Sequence, residues 1–268
     1  MPANPAATDF IPVLATGAIG AAAFFTSGAY GLFNPASRMW GPVISRGRRE
    51  RDTRVALTFD DGPLPGSTDV ILDALAASNV RAAFFVIGAH VQRWPDLVRR
   101  MYDEGHVVGN HTFGHSHFGL FGRDRYWRDE IRRTDDAIER IIGRRPALFR
   151  PPMGLKHWHV MNMAADTGHE VVTWSRRARD VKPTEPSALL SRLVGPSRGG
   201  DILVLHDGND PSLKPYDRAG TRDAVPPLIE GLRRRGLEPV RLDELLAIPA
   251  YQDERRTPPE TSPPPRPK

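Results

Sequence analysis

The stretch Val55-Ala56-Leu57-Thr58-Phe59-Asp60-Asp61-Gly62-Pro63 decides the fold: a short apolar and β-branched run stops at two adjacent carboxylates and a Gly-Pro turn. Five such residues bounded by turn chemistry predict a buried strand of an α/β sheet. Sheets of that kind place ligands beyond the carboxyl ends of their strands, which is where Asp60 and Asp61 fall. Two neighbouring carboxylates repel, so both stay ionised only where a cation or strong donors share the site. Successive strand residues face different sides, which lets one carboxylate hold a metal while the other handles a proton. Asp-Gly-Pro is also ordinary turn chemistry, and a second feature of the sequence separates the two possibilities.

That feature is Gly109-Asn110-His111-Thr112-Phe113-Gly114-His115. Histidines at i and i+4 converge on one ion from a helical turn or a tight loop, leaving room for a carboxylate and a water. Asp61, His111 and His115 are therefore the expected ligands of an open divalent-cation site, with Zn²⁺ the ion that this donor set favours.

Five motifs occur in order over residues 54–247: Thr58 to Pro63, His111 to His115, Phe149-Arg150-Pro151-Pro152-Met153-Gly154, Trp174 to Asp180, and Val204-Leu205-His206-Asp207. In these the chain resembles the NodB-homology polysaccharide deacetylases, the carbohydrate esterase family 4 group. The resemblance implies an α/β fold, a distorted (β/α)7 barrel, and a metal-dependent hydrolase that removes N-linked acetyl groups from amino sugars in a poly- or oligosaccharide. It makes Asp60 the general base, Arg150 the partner that holds it, and the backbone N–H of Met153 a donor to the oxyanion. An amine leaves poorly unless protonated, so His206 at a strand end is the expected general acid, with Asp180 orienting it.

The chain also departs from the family. Met153 stands where the family usually has Tyr, Arg177 takes the usual acidic position of the fourth motif, and Val181 replaces the aromatic that follows Asp180. Arg176, Arg177 and Arg179 form a basic cluster there, read either as a recognition site for an anionic sugar or as a solvated loop. Two other functions compete with the first: deacylation of a polyprenyl-phosphate-linked sugar, and glycan binding with little turnover.

The 268 residues leave room for one catalytic domain and appendages. No cysteine is present, which excludes a disulfide framework and thiolate catalysis. The formal charge of +5 fits anionic glycan or lipid as well as an ordinary basic surface, and no nucleic-acid motif accompanies it. Residues 10–33 carry no formal charge; as a helix they would measure about 36 Å, long enough to span a bilayer. They are the expected membrane anchor, after a leader at 1–9 that lacks a basic start. The arginines after the span place the domain in the cytoplasm by the positive-inside rule, whereas many relatives of wall-modifying type act outside, so the side stays open. Residues 34–53 read as a basic Pro/Gly connector and 248–268, rich in proline, as a disordered tail.

Between them short apolar runs alternate with helical periodicity. Strands are expected at 82–87, 147–150, 170–175, 201–206 and 237–242. Helices are expected after Ser67 or Thr68, from Pro95 to Gly105, and from Asp124 to Ile142, the last with Trp127, Ile131, Ile138, Ile141 and Ile142 facing the core. His117 is an auxiliary contact or a loop histidine, His157 and His159 diverge, and Trp158 and Trp174 either stack on sugar or are buried.

Overall fold

A computed structural model of the protein describes residues 30–48 and 53–256. The apolar stretch at 10–33 lies outside the described residues except for its last four, and no helix among the described residues is long and apolar enough to cross a membrane.

Strand β1, Arg54–Asp60, is buried along its length after Arg54 because Val55, Ala56, Leu57 and Phe59 meet core on both faces. Parallel neighbours flank it: β2, Ala83–Val86, on one side and β7, Ile202–His206, on the other. The strands β3 (Val107–Asn110), β4 (Leu148–Phe149), β5 (Glu170–Val171), β6 (Arg176–Arg177) and β8 (Glu238–Pro239) complete the sheet. Its order is β5-β4-β3-β2-β1-β7-β6, with β8 pairing the start of β1, and every pair is parallel. Parallel neighbours require crossovers, and the helices supply them. These are α1 (Thr68–Ala77), α2 (Gly88–Arg93), α3 (Pro95–Asp103), α4 (Asp124–Ile142), α5 (Trp158–Asp166), α6 (Pro186–Leu193), α7 (Ala219–Arg234) and α8 (Leu242–Leu246). The result is a curled parallel half-barrel, in keeping with the distorted (β/α)7 architecture.

The segment read as a connector is instead part of the fold where it is described. Ile44 bridges Val172, just past β5, and Arg46 bridges Asp201, just before β7, so the backbone at 44–47 links the edge strand β5 to the start of β7. Val43 is buried with Met161 and Val171. Likewise the expected tail begins inside the domain: Ala250 and Tyr251 are core residues, and the Tyr251 hydroxyl accepts a bond from Val108 N–H at 3.2 Å.

Helix α4 runs over the expected residues and stops at Gly143, whose φ of 73° is the left-handed cap that favours glycine. Its buried face carries Glu130, Thr134 and Asp135 beside Trp127, Ile131 and Ile138. The strand expected at 237–242 shrinks to two residues, because Asp243 and Glu244 occupy the first turn of α8, where acidic side chains favour a helix start. Arg176 and Arg177 are paired to Leu203 and Val204; they lie in a strand rather than in a loop.

Candidate active site

Strands β1, β3, β4 and β7 all end at one edge of the sheet, and each delivers a residue there. Asp60 is the last residue of β1 and stands in register with His206, the last of β7. Asp60 Oδ1 lies 2.6 Å from Arg150 Nη1. Arg150 follows β4 and is wholly buried; it also donates to Thr58 Oγ1 at 2.9 Å and to the carbonyls of Val172 and Thr173 at 3.1 and 3.0 Å, with its guanidinium 4.0 Å over the Phe85 ring. A planar five-donor fork suits that set of acceptors, and it leaves Asp60 one direction in which to point.

After Asp60 the chain turns sharply. Asp61 has φ 71°, and its carbonyl accepts from His90 Nδ1 at 2.9 Å. Gly62 and Gly208 sit where a Cβ would collide with the Asp207 carboxylate and the Asp61 carbonyl respectively, so β1 and β7 exit in close contact. Asp207 stays out of the cavity; burial pushes its carboxyl up to about 7, where it accepts from Thr68 Oγ1 at 2.6 Å.

His111 and His115 come from a tight loop after β3, not from a helical turn. Thr112 and His115 take positive φ, 69° and 49°, and the loop is pinned by Glu130 of α4, which accepts from the backbone N–H groups of Phe113 and Gly114 at 3.1 and 2.8 Å. His111 Nδ1 lies 2.7 Å from the Arg150 carbonyl, which fixes the proton on Nδ1 and leaves Nε2 as a lone-pair donor. His115 Nδ1 faces Asp210 Oδ2 at 3.1 Å, again leaving Nε2 turned inward.

The two Nε2 atoms stand 3.4 and 3.3 Å from Asp61 Oδ1, and that oxygen is buried with no hydrogen-bond partner among the described residues. Buried polar atoms are seldom left so. A buried, unbonded carboxylate oxygen facing two imidazole nitrogens, all within 4.8 Å of one another, fits a divalent cation with open coordination. Burial alone would raise the Asp61 carboxyl, but His115, His111 and His206 outweigh it and hold it far below the usual carboxylate range.

On the opposite side His206 Nδ1 lies 2.7 Å from Asp180 Oδ1, and Asp180 Oδ2 accepts from His206 N–H and from Thr221 Oγ1 at 2.9 and 2.8 Å. Burial would lower the imidazolium, but the Asp180, Asp61 and Asp60 carboxylates prevail and raise it to about 9. Met153 adopts φ 56°, ψ 7° in a short 3-10 turn, and its side chain is half-exposed at the cavity wall. Asp60, Asp61, His111, His115, Met153 and His206 together line a cavity of about 220 Å³, with Arg150 and Asp180 packed behind it.

Asp210 and Arg218 were not singled out by sequence. Asp210 is shared between His115 and His117, whose Nε2 lies 2.5 Å away, and Arg218 donates to the Asp180 carbonyl at 2.6 Å and approaches Asp61 Oδ2 at 4.0 Å. Both come from the loop between β7 and α7, which carries no spacing that marks them. Glu130 and Asp135 did leave a signal, since acidic residues on the apolar face of α4 must be buried.

The remaining histidines hold structure: His106 accepts from Ala82 N–H, His169 faces Asp135, and His159 pairs with Asp124 at 2.6 Å. Trp174 is buried at the cavity wall, whereas Trp158 is exposed.

Comparison with known proteins agrees with this fold. The profile of the polysaccharide deacetylase family matches residues 47–172. A peptidoglycan-N-acetylglucosamine deacetylase of Bacillus cereus is 33% identical over 191 residues, which cover 71% of this chain and 67% of the relative. A chitooligosaccharide deacetylase of Sinorhizobium fredii is 37% identical over 190 residues, 68% of this chain and 86% of the relative. A crystal structure of a peptidoglycan N-acetylglucosamine deacetylase in complex with an N-oxidanyl-benzamide compound superposes with a TM-score of 0.71 at 30% identity, over 78% of this chain and 94% of that one.

Proposed function

The chain belongs to the polysaccharide deacetylase family, and from that membership we propose that it is a cation-dependent hydrolase that releases acetate from N-acetylated amino sugars within a glycan. The observation that carries the reading is one cavity with Asp60 beside the Asp61, His111 and His115 cluster, and with the His206–Asp180 pair facing it.

Asp61, His111 and His115 would hold the ion; two imidazole nitrogens and a carboxylate oxygen form a borderline-soft set that suits Zn²⁺. Bound there, it would polarise the amide carbonyl and acidify a water. Asp60, unable to rotate away from Arg150, is the base that accepts the water's proton. The backbone N–H of Met153 donates to the oxyanion, a task that is indifferent to the methionine side chain. His206 enters the reaction as imidazolium and gives its proton to the departing amine, while Asp180 holds the ring by Nδ1. Base and acid thus stand at the ends of adjacent strands in register, and the scissile amide would lie between them.

The test is acetate release from N-acetylglucosamine oligomers by Zn²⁺-loaded protein. Release that stops on chelation, and that falls by at least about 100-fold in Asp60→Asn, supports the reading. No release from folded, zinc-loaded protein on these oligomers or on their anionic counterparts, or equal release from the variant, would overturn it.

A further inference from the structure

The three arginines of the fourth motif do not act together. Arg176 Nε lies 2.9 Å from Asp201 Oδ2, and Asp201 also holds Arg46 at 2.6 Å, so Arg176 belongs to the frame. Arg177 and Arg179 are exposed, and among the described residues no carboxylate lies within ion-pair distance of either. Both line a cavity of about 480 Å³ with Met153, Trp174, Val181, Val204 and His206. Among the described residues no acidic side chain lines it. Met153, Trp174, Val181 and His206 also line the cavity of Asp60 and Asp61, so the two cavities form one cleft with the cation-binding residues at one end and the two guanidiniums at the other.

The backbone explains the aim of these side chains. Arg177 pairs with Val204, and Ala178 N–H donates to the Val204 carbonyl at 3.0 Å, two residues before His206. Ala178 and Asp180 are buried, which turns Arg177 and Arg179 together to the open side. Arg179 is held at φ 60°, in the left-handed region that disfavours a residue with a side chain. The bonds made by its neighbour Asp180 to His206, Tyr216, Arg218 and Thr221 keep it there. The carboxylates nearer the catalytic end are engaged elsewhere, Asp60 by Arg150 and Asp210 by His115 and His117. Trp174 adds an indole N–H that has no acceptor among the described residues.

We propose that Arg177 and Arg179 form a subsite for a fixed oxyanion on the glycan, a carboxylate or phosphate carried by the sugar that loses its acetyl group or by its neighbour. Two guanidinium forks without an ion-pair partner among the described residues, at the end of the cleft away from its carboxylates, match the planar, bidentate demands of either group. The inference rests on the deacetylase reading and adds the substrate class to it.

The experiment compares kcat/KM for acetate release from three oligomers of one length: neutral N-acetylglucosamine, the same backbone with ether-linked carboxylates on alternate sugars, and the same backbone with phosphate esters. Wild type is expected to prefer at least one anionic oligomer, and the two anionic arms distinguish carboxylate from phosphate. Arg177→Gln with Arg179→Gln should cut that preference about tenfold, mainly through KM, as two charge-assisted contacts at an exposed site would. Arg179→Gly, which relieves the positive φ while removing the guanidinium, should move the preference the same way without loss of thermal stability. The wild-type preference should also shrink as salt rises. A wild type that hydrolyses all three oligomers equally, or variants that keep the full preference, would overturn the subsite and leave the deacetylase reading standing. Failure on all three, the neutral one included, would overturn both.

Discussion

Asp60 and Arg150 meet through a 2.6 Å contact between Oδ1 and Nη1 where both side chains are buried and only Asp60 touches the cavity. Arg150 has further acceptors in Thr58, Val172 and Thr173, so its charge is shared among strands β1 and β4 and the chain after β5. Breaking such a buried pair from one side costs about 3–5 kcal/mol. Arg150→Ala is expected to lower the melting temperature by about 10 °C and to abolish acetate release, with Arg150→Lys between the two. Differential scanning calorimetry of metal-free protein checks it; an unchanged midpoint would mean that the pair is not a structural tie.

The neighbours Asp60 and Asp61 should separate cleanly by measurement. Asp61→Asn is expected to weaken Zn²⁺ binding by at least about 100-fold, because it removes one of three protein donors. Asp60→Asn should leave the affinity within about threefold while reducing turnover about 10²- to 10⁴-fold. Competition with a chromophoric chelator reads the affinity. Equal weakening in both variants would show that Asp60 shares the ligand role.

Asp210 acts on the cation through His115 if the 3.1 Å approach to Nδ1 orients that ring. Removing such an outer carboxylate commonly costs about 10- to 100-fold in metal affinity, and that is the loss expected for Asp210→Asn. His117→Gln, which touches Asp210 only from the partly exposed side, should change the affinity by less than about threefold. The same chelator competition distinguishes them.

The His206 imidazolium, raised to about 9 chiefly by Asp180 against the effect of burial, gives kcat a descending limb as pH rises. A bound cation offsets the pull of Asp61, so in loaded enzyme the limb falls at or below that value. Asp180→Asn withdraws the largest raising cause and should move the limb down toward the ordinary histidine value of about 6.5. The sign for stability is the same. A folded-state value above the unfolded one stabilises fully below about pH 6.5 and loses that contribution as pH climbs through 9. A kcat profile whose limb stays in place in Asp180→Asn would remove His206 from the role of acid.

Much of this was legible before any coordinates. The run from Val55 to Pro63 ends at its strand edge as its turn chemistry predicts, and the apolar stripe of Trp127, Ile131 and Ile138 folds as helix α4 over Asp124–Ile142. These features are local: alternation, helical period and turn residues act over a few neighbours. The connector and the tail were misjudged because composition alone does not reveal pairing. Ile44 and Arg46 meet partners more than 100 positions away, and Tyr251 does the same against Pro146 and Val108.

By itself the sequence determined which chemical groups this protein has and, through their spacing, that two carboxylates, an arginine and a histidine end strands of a parallel α/β sheet while two more histidines at i and i+4 can share one ion; the strand that carries that pair, β3, came only with the structure. Tertiary structure alone decided their relations: the buried Asp61 oxygen left for a cation, the capture of Arg176 by Asp201, the freedom of Arg177 and Arg179, and the recruitment of Asp210 and Arg218 from a loop without a motif. The physical reason is range. Strand and turn propensities are settled between adjacent residues, whereas the ionisation, pairing and exposure of a side chain depend on whichever distant segments the sheet brings against it.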